Sequence, residues 1–284
     1  MRIDLHMHST ASDGAYSPSE VVQIAVAQEM DSIALTDHDT VNGILEAQEA
    51  AATLSGSMKH GVEVLAGVEL SAEDEIADRH ILGYLLNVDS ILLQSSLAEL
   101  RDGRENRAEK ILQKLNTLGL HISIERVHAL AKGGAVGRPH IARAMLEAGL
   151  VASLQDAFDK YLGDDRPAYV PHYRLSPDHA IEIIHQAGGV AVLAHPGRVP
   201  SYPAIIEALM PLGLDGLEVY YPDHTPDVVV DLNMIARQYG LVMTVGSDFH
   251  RREGDGSARI GSVKFPPTLN IVESLRERAL RYSG

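Results

Sequence analysis

Apolar and polar positions along the 284-residue chain alternate between two periods. Short runs in which apolar residues follow one another, or occupy every second position, predict strands near residues 2–8, 31–36, 62–69, 79–85, 190–195, 215–220 and 241–246. Amphipathic stretches with helical spacing separate most of them. Ser17-Pro18-Ser19-Glu20 sets a cap, a first-turn proline and a capping-box glutamate in order, and Ser176-Pro177 and Thr225-Pro226 repeat the cap-then-proline arrangement. Helix stops are expected at Gly56 and at Gly188-Gly189. Strands alternating with helices predict an α/β fold with mostly parallel strands. Seven of them suggest a closed or nearly closed barrel, with an open sheet as the other arrangement the pattern allows.

The alternation breaks between residues 90 and 170. Consecutive helices are predicted over Leu97–Leu118, Ile124–Lys132, Pro139–Ala148 and Ser153–Tyr161, with no strand among them. The expected organisation is a barrel domain built from residues 1–89 and 171–284, with 90–170 a helical insertion covering the barrel mouth. An amphipathic helix near 268–282 would close the barrel or form a dimer contact, and Gly254-Asp255-Gly256-Ser257 predicts a flexible loop.

Composition narrows the function. The chain has no cysteine, which excludes disulfides, thiolate metal sites and cysteine nucleophiles. No opening stretch resembles a signal peptide and no apolar run could span a bilayer, so a cytoplasmic protein without a stable protein partner is expected. A net charge of −15 argues against non-specific binding to long nucleic acids or anionic membranes. It leaves room for a small phosphorylated substrate if the site carries local positive charge, which divalent metals would supply. Fourteen histidines against three phenylalanines and no tryptophan fit a metal-rich site.

The candidate chemistry lies at strand ends. In the opening strand, His6 and His8 leave the same face with Asp4 behind them, while Ile3, Leu5 and Met7 face the other way. Two neutral imidazoles converging on one point are good ligands for Zn, Mn or Fe. Asp13 follows in the loop Ser9-Thr-Ala-Ser-Asp-Gly14, and His38 ends the second strand. Glu69 ends the apolar run from Val64, where a carboxylate needs a partner, and His80 opens the next strand. His195 terminates Val190-Ala-Val-Leu-Ala-His195, and Asp248 and His250 share a face through their two-residue spacing. Each position alone has an ordinary structural explanation. Nine metal-type residues at strand ends do not share one.

Asp4-Leu-His-Met-His-Ser9, Thr36-Asp-His-Asp39, the Glu69 strand, Ala194-His-Pro196 and Gly246-Ser-Asp-Phe-His250 together resemble the polymerase and histidinol phosphatase (PHP) superfamily. The resemblance runs from residue 2 to about residue 265. It implies a metal-dependent phosphoesterase on a distorted seven-stranded (βα) barrel. It further implies three metals: the first on His6, His8, Glu69 and Asp248, the second on Glu69, His80 and His195, the third on Asp13, His38 and His250. Many members carry histidine where this chain has Asp13, so the third site is expected to be weaker or harder in metal preference. Two or three divalent ions are therefore expected, with Mn favoured over Fe or Zn. The implied reaction is in-line attack on phosphorus by metal-activated hydroxide, with no protein nucleophile. His195, His250 and Asp248 form the implied catalytic set. His195 or His250 could protonate the leaving group if it is not a metal ligand, and water at the metals is the other source. Asp37 and Asp39 are read as partners that orient His38, with a carboxylate at a helix start as the other role open to either.

Ser9-Thr-Ala-Ser-Asp-Gly14, Gly137-Arg-Pro-His140 and Tyr169-Val-Pro171 resemble, within the superfamily, nucleoside 3′,5′-bisphosphate phosphatases and related 5′-to-3′ exoribonucleases. Arg101, Arg104, Arg107, Lys110 and Lys114 recur at three- or four-residue spacing along one helix, and Arg104 is singled out for substrate binding. Gly134-Ala-Val-Gly137 leads into a helix start at which Arg138 and His140 could clamp a second phosphate, unless Arg138 pairs with Asp164 or Asp165. Lys132 and Arg198 are further candidates. Tyr220 and Tyr221 could stack on a base, although packing is their commoner role. His224 is left outside the site. The expected substrate is a small nucleotide, adenosine 3′,5′-bisphosphate giving AMP and phosphate. Short 5′-phosphorylated RNA and histidinol phosphate are alternative substrates, and a non-catalytic metal-binding module is the alternative of another class.

Overall fold

In a computed structural model, residues 1–55, 61–73, 78–131, 136–171, 175–251 and 258–282 are described. Seven strands form one sheet in chain order: β1 (Ile3–Asp4), β2 (Ser32–Leu35), β3 (Glu63–Glu73), β4 (Asp78–Tyr84), β5 (Val190–Leu193), β6 (Gly216–Tyr220) and β7 (Val242–Val245). Each falls where the apolar runs predict a strand. The ends of β7 and β1 meet. Leu5 N–H donates to the Val245 carbonyl at 2.9 Å, and Met7 pairs in parallel with Phe249, so the sheet is a nearly closed barrel. Met7 and Phe249 are both fully buried at this seam.

Parallel pairing holds for β1–β2–β3 and for β5–β6–β7, but β4 runs antiparallel to both its neighbours. That reversal matters for the site. The start of an antiparallel strand lies beside the ends of its neighbours, so His80, paired with Ser71, stands at the same rim as the C-terminal ends of β3 and β5.

The helices are α1 (Pro18–Ala27), α2 (Ile44–Ser55), α3 (Ile91–Thr117), α4 (Ile124–Ala131), α5 (Arg138–Glu147), α6 (Leu154–Ala157), α7 (Pro177–Gln186), α8 (Tyr202–Leu209), α9 (Pro226–Tyr239) and α10 (Ile271–Ala279). The Ser17 hydroxyl accepts from Glu20 N–H while the Glu20 carboxylate accepts from Ser17 N–H, a complete capping box worth about 1 kcal/mol. Thr225 caps α9. Gly188 takes φ +76 after α7, a conformation that favours glycine. α10 buries Ile271, Val272 and Leu275 in the barrel core. The first turns of α3 also join that core through Leu93, Leu97 and Leu100. From Ala108 to Val170, the buried apolar side chains form a second, separate cluster. No helix among the described residues is long and apolar enough to cross a membrane. Lys132, Gly134-Ala135 and the Gly254–Ser257 loop lie outside the described residues.

Candidate metal centre

At the rim formed by the ends of the strands, His6, His8, Asp13, His38, Glu69, His80, His195, Asp248 and His250 converge. The two carboxylate oxygens of Glu69 divide the group. Oε2 lies 3.2 Å from His6 Nε2, 3.2 Å from His8 Nε2 and 3.1 Å from His38 Nδ1. Oε1 lies 2.7 Å from His80 Nδ1 and 3.3 Å from His195 Nε2. Asp248 Oδ1 is 3.4 Å from His6 Nε2 and 3.2 Å from His8 Nε2. On the outer side, Asp13 Oδ1 is 3.2 Å from His250 Nε2 and 3.8 Å from His8 Nδ1. Three sets offer ligand atoms all within 4.8 Å of one another: His6, His8, Glu69 and Asp248; His8, Asp13, His38 and His250; and His38, Glu69 and His80. His195 touches this last set through Glu69.

These atoms are poorly explained as hydrogen-bonding groups. His6 Nε2, both ring nitrogens of His8, His38 Nδ1 and Glu69 Oε2 are buried and have no hydrogen-bond partner. Orphaned buried polar atoms are costly, roughly 1–3 kcal/mol each, and they rarely cluster without a ligand. His6 shows the reason most clearly. Its Nδ1 lies 3.0 Å from Glu218 Oε1, so in the neutral ring Nδ1 is the donor and Nε2 turns a lone pair toward Glu69 and Asp248. Lone pairs of nitrogen and carboxylate oxygen facing each other at this range call for positive charge between them. The electrostatics agree. Burial pushes His8 down, yet Asp248 and Glu69 outweigh it and hold its pKa at about 10. Burial likewise pushes Asp13, Glu69 and Asp248 up, but the surrounding imidazoles hold all three well below the usual carboxylate range. Nitrogen and oxygen donors without sulfur, converging on a buried and electronegative centre, fit divalent cations.

Several residues hold this arrangement, and of them only Asp4 lay within a motif. Glu218, fully buried in β6, accepts from His6 through Oε1 and from His195 N–H through Oε2 at 2.8 Å. The only sequence signal for it was an acid inside the apolar run Gly216-Leu-Glu-Val-Tyr220. The Tyr221 hydroxyl donates to Asp248 Oδ2 at 2.9 Å. Asp4 accepts from Ser247 and Gly261 N–H, and burial, the largest influence, raises its pKa to about 6. His224 accepts from Gly197 N–H at 3.0 Å and bonds the Val219 carbonyl through Nδ1, which fastens the turn after His195. His195 and Asp248 sit at φ +31 and +54, a left-handed conformation that costs a residue with a Cβ about 1–2 kcal/mol.

Other sequence expectations are corrected. Asp37 and Asp39 do not orient His38, whose partners are Glu69 and Asp13. Strand parity turns Asp37 to the opposite face, where it accepts from Ser9 N–H and from the Ser9 and Ser12 hydroxyls, pinning the loop that carries Asp13. Asp39 accepts from Ser71 N–H and pairs with Arg104. Tyr220 and Tyr221 are buried, and their hydroxyls donate to Asn233 and Asp248, so neither offers a face to a base.

A cavity of about 280 Å³ adjoins the centre, with Asp13, His38 and His80 on one wall and Arg104, Arg138 and His140 on the other. The basic stripe of α3 is divided by function. Arg104 bonds Asp39 and Ser71, Arg107 is buried and donates to the Val170 carbonyl, and Lys114 reaches the Tyr169 carbonyl. Arg138 at the start of α5 donates to Asp164 at 2.9 Å while still lining the cavity. His140 Nδ1 accepts from Gly137 N–H at 3.1 Å. Burial, with Arg104 and Arg143 nearby, lowers its pKa, which favours the neutral ring with its proton on Nε2. Arg198 is exposed beyond the far side of the centre, 5.8 Å from the Tyr221 ring.

The PHP domain model matches residues 4–165. The 5′-3′ exoribonuclease Rnm of Escherichia coli (strain K12) is 36% identical over 252 residues, covering 87% of this chain and 85% of that protein. A 3′,5′-nucleoside bisphosphate phosphatase of Chromobacterium violaceum is 35% identical over 286 residues, covering 98% of each. A crystal structure assigned as a metal-dependent phosphoesterase, from Bifidobacterium adolescentis, matches with a TM-score of 0.84 and 29% identity over 98% of this chain and 96% of its own. A seven-stranded barrel whose rim gathers buried, unpartnered histidine and carboxylate atoms agrees with these likenesses: the chain belongs to the PHP domain family and is a hydrolase of phosphate esters.

Proposed function

We propose that the chain removes the 3′-phosphate of nucleoside 3′,5′-bisphosphates, converting adenosine 3′,5′-bisphosphate to AMP and phosphate. The observation that carries this reading is the cavity between the centre and Arg104, Arg138 and His140. A monophosphate needs positive charge only at the reacting position. Here the donors of Arg104 and Arg138, each also paired with a carboxylate, and of the His140 ring face that position across the cavity, where a second phosphate would be bound. Full-length similarity to a 3′,5′-nucleoside bisphosphate phosphatase supports the same choice.

His6, His8, Glu69 and Asp248 would hold one divalent ion, Glu69, His80 and His195 a second, and Asp13, His38 and His250 a third, with Mn favoured. Bound there, such ions supply positive charge for the phosphoryl oxygens, an activated water and stabilisation of the leaving oxygen. The chain itself contributes position. His140, neutral and fixed by Gly137, offers an Nε2–H to the remote phosphate. The guanidinium of Arg138 adds donors to it. Arg104, anchored on Asp39, ties α3 to the loop beside the centre and keeps that wall at a fixed distance. Residues 90–170 then act as an insertion that supplies recognition, while the barrel supplies the reacting position. Binding at the remote phosphate can thus be used to orient the reacting one.

The test is phosphate release by Mn-loaded protein from adenosine 3′,5′-bisphosphate, 3′-AMP, 5′-AMP and histidinol phosphate. A preference for the bisphosphate of at least about a hundredfold in kcat/KM is expected, the order a well-placed charged clamp provides. Equal rates on the bisphosphate and 3′-AMP would remove the reading.

A further inference from the structure

α9 packs on β6 and β7 and buries Leu232 and Ala236, while its opposite face is turned to solvent. Along that outer face run Asp227, Val230, Met234 and Arg237, all exposed. Their spacing of three, four and three residues sets them in one stripe. Val230 and Met234 are 59% and 58% exposed and lie on the side of the helix away from Leu232. A single exposed apolar residue needs no explanation. These two sit one turn apart, at positions where a polar residue would be at home, and the β-branched Val230 lowers helix propensity without burying its side chain. Charges of opposite sign flank them.

Those charges have no use within the chain. Among the described residues, the side chains of Asp227 and Arg237 make neither a hydrogen bond nor an ion pair. They cannot meet along the helix, since ten residues separate their Cα atoms by about 15 Å. The positions one turn inward are Asp231 and Asn233, and neither supplies an opposite charge. Read in reverse, however, the stripe is its own complement. Acid, apolar, apolar, base along one helix faces base, apolar, apolar, acid along an antiparallel copy. With Leu232 at the midpoint, Asp227 stands opposite the partner's Arg237 and Val230 opposite the partner's Met234, and a twofold axis makes each contact twice.

We infer that the outer face of α9 is the interface of a symmetric homodimer, two copies pairing antiparallel through Asp227, Val230, Met234 and Arg237. A second copy is the occupant because it alone brings the complementary pattern by symmetry. A nucleic acid or an anionic membrane would call for charge of one sign, and this stripe carries both. Two helices meeting along one stripe cover less than the roughly 1,200–2,000 Å² of a standard interface. The dimer is therefore weak, with a Kd of about 10–100 µM. α9 begins at the rim, directly after the turn of Tyr221 and His224, and runs to the far end of the barrel. Antiparallel pairing points the two rims in opposite directions and leaves both centres open.

The experiment is sedimentation equilibrium of the full chain at low salt, over concentrations up to about ten times that Kd. The parent is expected to pass from monomer to dimer. Asp227→Arg leaves a base at both ends of the stripe and Arg237→Asp leaves an acid at both, so each variant alone should dimerise about tenfold or more weakly. Mixed together, the two variants are complementary at both ends, and association should return in the mixture. A variant that had merely lost its fold would not recover on mixing, which separates the charge effect from damage to α9. The double variant carrying both changes should dimerise like the parent, and Met234→Glu should not dimerise at all. A parent that stays monomeric throughout the range would overturn the assignment. A dimer that persists in both single variants, or singles that stay apart when mixed, would overturn it as well, the first outcome placing the contact on another surface.

Discussion

Glu218 sets the orientation of two residues of the centre at once. One oxygen accepts from the His6 ring and the other from the backbone N–H of His195. A carboxylate can accept at both positions, whereas an amide must present a donor to one of them. Glu218→Gln is therefore expected to misplace either His6 or the His195 turn and to weaken metal binding by about 10–100-fold. Metal titration followed by thermal shift checks this, and an unchanged metal affinity would remove Glu218 from that role. The contrast with His6 shows what a sequence can reveal at this scale. His6, His8, Asp248 and His250 were legible because two-residue spacing in a strand puts side chains on one face, and that face is predictable. Glu218 and Tyr221 act through contacts made by strands far apart in the chain, and nothing in their neighbours announces such a contact. Asp37 and Asp39 were misread for a related reason: proximity to His38 in the chain is not proximity of side chains when parity turns Asp37 away.

The seven strands and the run of helices from α3 to α6 were legible as elements, because apolar periodicity marks them directly. The direction of β4 was not. A hydrophobic run carries no arrow, so His80 at the start of its strand reads as a misfit until the strand is seen to run backwards. The barrel seam is a second feature that only packing reveals. Gly246, just past β7, lies where a Cβ would overlap the Cβ of His6 and a carboxylate oxygen of Glu218. Both are fixed, one by the strand and the other by its two hydrogen bonds. Gly246→Ala must push β7 away from the opening strand. A loss of about 1–3 kcal/mol is expected from this overpacking, measured by urea unfolding, with a larger proportional loss of metal affinity. A variant as stable as the parent and unimpaired in metal binding would mean that the seam yields more easily than its packing suggests.

Across the whole molecule, the two ends of the barrel carry different loads. The rim holds left-handed residues and unpartnered atoms, while the opposite end is tied shut. There Asp215 gathers His185 at 2.8 Å, Ala191 N–H at 3.1 Å, Tyr282 at 2.9 Å and Arg278 at 3.3 Å, and the rings of His185 and Tyr282 stack at 3.9 Å. One carboxylate thus joins α7, the start of β5 and the α10 end of the chain. Burial pushes its pKa up, but His185, the Ala191 N–H and Tyr282 outweigh burial and hold it below the usual aspartate range. A depressed folded pKa stabilises the fold above the unfolded value, near 3.9 for aspartate, and that stability is lost as pH falls through the folded value. Asp215→Asn should lower Tm by several degrees at pH 7, from a loss of roughly 1–3 kcal/mol of charged hydrogen bonding. The gap between parent and variant should hold down to about pH 5 and close as pH falls below about 4. Taking the difference matters, because the carboxylates of the rim titrate in the same range and cancel between the two proteins. A gap that stayed constant down to pH 3 would show that the asparagine costs packing and not charge. Activity at neutral pH should survive the substitution, because the fastening lies at the end of the barrel away from the metal centre.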